Sequence, residues 1–178
     1  MCLNYDGDRL ATCSCKGTII RVFSLPKGEK LCTFKRGVSP AFIFCLNFSR
    51  NSEKLISTSD NGMCHVFDVK EEMDNLEKNK EAKGFVKVLG RGLVTAVSAL
   101  MPKDYEDSFG TQGASITYKS ENLKMSNIVG FSNEKVKEAF CFTSDGTFSL
   151  FNINYINKTI DKMYERNIKD LKGNFAEE

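Results

Sequence analysis

Leu55-Ile56-Ser57-Thr58-Ser59-Asp60-Asn61-Gly62, closed by His65-Val66-Phe67, restates an earlier stretch of the same chain. The earlier copy reads Leu10-Ala11-Thr12-Cys13-Ser14-Cys15-Lys16-Gly17-Thr18 and closes with Arg21-Val22-Phe23. Leu10 and Leu55 are 45 positions apart, as are Gly17 and Gly62; Phe23 and Phe67 are 44 apart, and Asn4 and Asn47 are 43 apart. Between the copies stands Thr33-Phe34-Lys35-Arg36-Gly37, two adjacent cations after an aromatic and before a glycine. If the chain alternates faces there, the two charges point to opposite sides, and each can serve a different unit.

A period near 44 is the one expected of the four-stranded units of WD40-type β-propellers. Met1 to Tyr5 reads as a half-strand running into the turn Asp6-Gly7-Asp8. Residues 10–14 and Thr18 to Phe23 form a hairpin, and Lys30 to Phe34 follows the turn Pro26-Lys27-Gly28-Glu29. The second unit opens at Ala41 to Phe48. A third copy, Phe142-Thr143-Ser144-Asp145-Gly146-Thr147, comes late, with its glycine 84 positions beyond Gly62. Its strands are expected at Ser126 to Phe131, Val136 to Thr143 and Thr147 to Asn152. Lys158 to Ile168 has the charge pattern of a helix, but its place after Asp145-Gly146-Thr147 predicts a fourth strand.

A long insertion must separate the second and third copies. Lys70 to Lys83 has mixed charge and little apolar content, as fits disorder or a short exposed helix. Phe85 to Met101 is apolar and rich in small residues, and residues 114–119 return to a strand pattern. Residues 71–111 are therefore read as one loop between the third and fourth strands of the second unit. The expected fold is all-β: a partial WD40-type β-propeller of three four-stranded blades at 1–36, 41–119 and 125–168. Such rings typically close with four to eight blades, so the sequence reads as the last part of a longer ring.

Composition narrows the function classes. The 178 residues carry 25 basic and 23 acidic side chains, a net charge of +2. Such a balance argues against bulk nucleic-acid binding, and any anion site must be local. Seven cysteines occur without a Cys-x-x-Cys pair, which predicts small buried thiols in a reducing compartment and no metal site. No apolar run reaches the ~18 residues of a transmembrane helix, and no secretory leader opens the chain. The chain has one histidine and neither a Ser/His/Asp set nor a Gly-x-x-x-x-Gly-Lys phosphate loop. Nothing converges on Asp104 and Glu106, so no catalytic residue and no cofactor are expected.

Phe34-Lys35-Arg36-Gly37 resembles the Phe-Arg-Arg-Gly signature of the PROPPINs, seven-bladed propellers that bind phosphatidylinositol 3-phosphate and phosphatidylinositol 3,5-bisphosphate. Asn4 to Gly7, Lys16 to Thr18, Ile20 to Phe23, Ser59-Asp60, Gly62 and His65 to Phe67 are similar to the text around that signature. The resemblance implies two headgroup pockets on the rim, one on each neighbouring blade. Lys35 would serve the first with Ser14, Thr18 and Arg21; Arg36 would serve the second with Thr58, Ser59 and His65. The loop 71–111 resembles the family's membrane-inserting loop, with Leu89, Leu93, Val94, Val97, Leu100 and Met101 as inserting groups. Packing of that run against a neighbouring blade is the alternative. The implied partners are membranes bearing the two lipids and autophagy-related proteins. The implied location is cytoplasmic, peripherally associated with phagophore, endosomal or vacuolar membranes.

The residue types suit the task. A guanidinium holds two phosphate oxygens at once, while hydroxyls and turn amides fill the remaining acceptors. Two weak pockets on one rigid rim add avidity, and basic residues such as Lys27 and Lys30 near an anionic surface add about 1 kcal/mol each. Lys35 departs from the signature and lacks the bidentate fork. Asn61-Gly62-Met63 stands where the family has Lys-Gly-Thr, with one cation and one hydroxyl fewer. Ser14 and Ser59 also fit a plainer role, bonding their own turns. The rival function is a propeller scaffold for protein partners, in which the rim cations are incidental.

Overall fold

The computed structural model describes residues 1–78, 112–132 and 136–173. The first sheet follows chain order: β1 (Cys2–Leu3), β2 (Arg9–Cys13), β3 (Ile19–Ser24) and β4 (Lys30–Lys35). The second contains β5 (Ile43–Phe48), β6 (Lys54–Ser59), β7 (Met63–Asp68) and, after the insertion, β9 (Ile116–Lys119). The third contains β10 (Asn127–Phe131), β11 (Glu138–Thr143), β12 (Thr147–Asn154) and β13 (Thr159–Asn167). The strand expected within Lys158 to Ile168 is present as β13. Each of these sheets is an antiparallel meander, and together they form part of a β-propeller.

Strand parity explains how the sheets stack. Alternate side chains of a strand point to opposite faces. Leu55 and Phe67 pack with Ala11, Ile20, Val22, Cys32 and Phe34 of the first sheet. Their neighbours Ile56 and Val66 pack with Val129, Ala139, Cys141 and Phe151 of the third. The second sheet is thus buried on both faces, which is why its strands read as apolar runs and not as clean alternations. Phe34 and Phe67, both fully buried, meet across the first seam with ring centroids 5.1 Å apart.

Two features at the insertion depart from expectation. In the described part of Lys70 to Lys83 the helical reading holds, as α1 over residues 69–78, but one side of that helix is buried and not exposed. Its first turn is capped by Asp68, whose Oδ1 accepts the Glu71 amide at 3.0 Å. Val69 is buried, and Met73 and Leu76 pack on the first core, a helical stripe within a mostly charged stretch. Glu72 is buried on the same side, and its carboxyl accepts the Gln112 amide while burial pushes its pKa up. Beyond the insertion, β8 (Gln112–Gly113) joins the first sheet, parallel to β4 at Phe34 and Lys35.

The cysteines are free; Cys32, Cys64 and Cys141 are buried inside strands. Burial pushes the Cys32 and Cys141 thiols up to about 12, so both stay protonated and inert.

Phe67→Ala removes the ring that joins the first two sheets and should cost about 3–5 kcal/mol. Chemical denaturation measures it; a loss within experimental error would show that the first seam does not depend on this ring.

Candidate headgroup site at the first seam

The turn β2–β3, the end of β4, the linker 37–42 and the turn β6–β7 all lie at one end of the sheets. The turns repeat one device. Gly17, Gly62 and Gly146 adopt φ of +69°, +78° and +89° at equivalent positions, a conformation that favours glycine. In the third sheet Asp145 Oδ1 accepts from Thr143 Oγ1 at 2.5 Å and from the Thr147 amide at 3.0 Å. In the second, Asn61 Oδ1 accepts from Ser59 Oγ at 2.8 Å and from the Met63 amide at 3.3 Å. Asn61 therefore builds the turn as Asp145 does, and the Ser59 hydroxyl is committed to that turn. Ser14 acts likewise: its Oγ accepts the Ile19 amide at 3.2 Å.

Lys35 and Arg36 part company. Phe34 faces the second sheet, so Lys35 belongs to the opposite face of β4, where its side chain is exposed. It pairs across to Ile19, and Thr33 pairs to Arg21, so Arg21 and Lys35 share that outward face. Arg36 is buried. Its amide donates to Thr18 O at 2.8 Å, its Nε donates to Gly17 O, and its Nη2 donates to Ser39 O. Burial pulls its pKa down from the ordinary value, while Cys13 and Asp60 pull it back up.

Across the seam, β6 and β7 present Ser57 opposite His65 on the face turned to the first sheet. His65 is buried and stacks on Phe67, ring centroids 6.1 Å apart and 15° between planes. Burial, and then the nearby Arg36 charge, pull its pKa down from 6.5 to about 4. It is neutral at pH 7, and its Nδ1, with Ser57 Oγ, is buried without a hydrogen-bond partner among the described residues. Buried polar atoms are nearly always satisfied by protein, water or ligand.

Of the eight residues expected to bind headgroups, the structure gathers Arg36 and His65 at the seam, with Ser59 on the same face of the second sheet. Arg21 and Lys35 lie on the outward face of the first. Ser14 closes its own turn, and the Thr18 carbonyl holds the Arg36 amide. Thr58 does not join His65. It follows Ile56 in parity, faces the third sheet, and donates from Oγ1 to Asn127 Oδ1 at 2.6 Å. The six inserting groups expected at Leu89, Leu93, Val94, Val97, Leu100 and Met101 lie outside the described residues. Ser57 was missed, although its place two positions before Ser59 puts it on the same face. Asp60 was also missed in this role. Its carboxylate accepts the Phe42 amide at 3.0 Å, and its charge acts on Arg36.

Gly17→Ala would place a Cβ 1.9 Å from the Ala41 carbonyl oxygen, on a residue already at positive φ. It should cost more than ~2 kcal/mol and loosen the Arg36 clamp, which a melting curve and hydrogen exchange at residues 36–42 would detect. His65 gives a pH signature. Its folded pKa lies below the ordinary 6.5, so between 6.5 and about 4 the unfolded chain binds more protons and stability falls as pH falls. His65→Gln should flatten that part of the melting temperature–pH profile, and parallel profiles for the two proteins would overturn the assignment.

Comparison with known proteins agrees with this architecture. The PROPPIN family profile matches residues 1–159. The chain is 31% identical over 173 residues to autophagy-related protein 18 of Caenorhabditis elegans, an alignment that covers 93% of this chain and 41% of the relative. It is 36% identical over 122 residues to autophagy-related protein 18 of Yarrowia lipolytica, covering 58% of this chain and 30% of the relative. The solved structure titled Kluyveromyces lactis Hsv2 complete loop 6CD superposes with a TM-score of 0.67 at 22% identity, over 94% of this chain and 47% of that one. The chain thus spans less than half the length of these relatives. With the family profile covering most of its residues, the chain belongs to the PROPPIN family.

Proposed function

We propose that the chain contributes to a non-enzymatic phosphoinositide effector. It binds phosphatidylinositol 3-phosphate and phosphatidylinositol 3,5-bisphosphate on membranes and recruits autophagy or endosomal machinery there. The observation that carries this reading is the divergence of Lys35 and Arg36 onto opposite faces of one strand end. On the outward side, Arg21 and Lys35 form a basic face beside the β2–β3 turn. On the seam side, Arg36 spends two of its N–H groups on backbone carbonyls. Among the described residues, the other three of a guanidinium's five remain for an anion. His65, which feels the Arg36 charge, and Ser57 opposite it keep Nδ1 and Oγ buried and unpaired among the described residues. A phosphate there would raise the His65 pKa by supplying the counter-charge that burial withholds.

Among the described residues, no helix is long and apolar enough to cross a membrane, and the proposed association is peripheral. Residues Leu89, Leu93, Val94, Val97, Leu100 and Met101 enter the reading as the inserting loop. A second reading, a scaffold for protein partners, draws on the outward face of the third sheet. There Phe142 and Tyr164 are exposed and flank Phe148, with ring centroids 4.8 and 6.3 Å from it.

Flotation with liposomes bearing phosphatidylinositol 3-phosphate tests the proposal. Lys35→Thr with Arg36→Thr should release the protein from the vesicles. Because Arg36 also holds backbone carbonyls, Lys35→Thr alone, at an exposed position, is the cleaner arm and should weaken binding several-fold with an unchanged melting temperature. Lys35→Arg should tighten binding by restoring the bidentate fork. Equal binding by all variants would favour the scaffold reading.

A further inference from the structure

The linker between the first two sheets carries apolar side chains that the core does not use. Val38 is 82% exposed and Phe42 is 68% exposed. Other exposed apolar groups, such as Leu3, Ile128 and Phe142, lie on the outward faces of the first and third sheets. Val38 and Phe42 lie instead on the linker that joins two described sheets.

The backbone that carries them is held at four points. Arg36 Nη2 donates to Ser39 O, and the Ala41 amide donates to Lys16 O at 3.1 Å. The Phe42 amide donates to Asp60 Oδ1, and its carbonyl accepts the Asp60 amide, both at 3.0 Å. The Phe42 ring rests edge-on against Phe44 with centroids 5.8 Å apart. A segment tied this closely presents its side chains at little entropic cost when they are covered. The charges around it favour an anionic surface. Lys16 and Lys35 are exposed at the same end of the sheets, and Arg36 lies beneath the linker. Asp60, the acid bonded to this linker among the described residues, is engaged with the Phe42 amide and acts on the Arg36 charge.

The geometry points to the linker 37–42 as an apolar wedge that enters the headgroup layer of an anionic bilayer, with Val38 and Phe42 as its contact groups. This inference rests on the headgroup reading above and deepens it. Apolar side chains flanked by cations at a membrane surface combine burial with attraction to acidic lipids. A wedge on the same linker that Arg36 clamps sets the orientation in which the two sides of Lys35-Arg36 meet the lipid.

The chain contains no tryptophan, so Phe42→Trp installs a single fluorescent reporter. On vesicles containing phosphatidylinositol 3-phosphate and phosphatidylserine, its emission should shift to the blue, and lipids with brominated acyl chains should quench it. Val38→Ser with Phe42→Ser, which removes apolar surface without adding charge, should weaken vesicle binding about tenfold and leave binding of water-soluble inositol 1,3-bisphosphate unchanged. Water-like, unquenched emission from protein that still floats with the vesicles would overturn the wedge, leaving the side chains to a protein partner and the headgroup reading intact. A blue shift without dependence on the 3-phosphate or on Lys35 would keep the wedge and overturn the headgroup reading. Failure of the unaltered chain to bind any of these vesicles would overturn both.

Discussion

The guanidinium of Arg36 lies in the seam between the first two sheets and is held by the carbonyls of Gly17 and Ser39. Much of the molecule's character at that end follows from this. The clamp ties the end of β4 to the β2–β3 turn and to the linker that leads into the next sheet. It places a buried positive charge near His65, whose proton affinity is lowered first by burial and then by that charge. Lys35 goes the other way, because a strand that delivers Phe34 to the core must turn Lys35 outward. One side chain thereby organises a turn, a linker and the charge of a seam.

The energetic logic of the stack is separate from this polar logic. Leu55 and Phe67 fill one seam, and Ile56 and Val66 fill the other. Each seam is a layer of apolar side chains from two sheets, so the second sheet depends on both neighbours. Polar groups are admitted near the end of the sheets, where turn carbonyls and amides can satisfy most of them. Thr58 with Asn127 closes such an account at the second seam. Ser57 and His65 leave one open at the first among the described residues.

The fold was largely legible because the repeat is carried by turns. Gly17, Gly62 and Gly146 recur where positive φ is required, and the apolar runs between them match the period. The site was legible only in part, because the motif names residues but not faces. Thr58 and Ser59 are adjacent and therefore point apart; since Ile56 belongs to the third-sheet side, parity alone sends Thr58 there. Ser59 and Ser14 illustrate a hydroxyl whose local turn competes with any ligand. The charge of the helix at 69–78 marks it as exposed and hides the stripe of Val69, Met73 and Leu76 beneath Lys70, Glu71 and Asp74. Glu72 was unreadable for a different reason: its partner is the backbone of Gln112, forty positions away in the chain.

That last contact has an architectural outcome. Glu72 grips the amide of Gln112, and Gln112–Gly113 in turn pairs with the edge of β4. Departure and return of the chain are moored side by side on the first blade before β9 completes the second. Between moorings so close together, doubling the length of the intervening chain costs only ~0.6 kcal/mol in closure entropy. The first blade thus carries both anchorages, so a change of length between them would leave the pairing of Gln112–Gly113 with β4 in place.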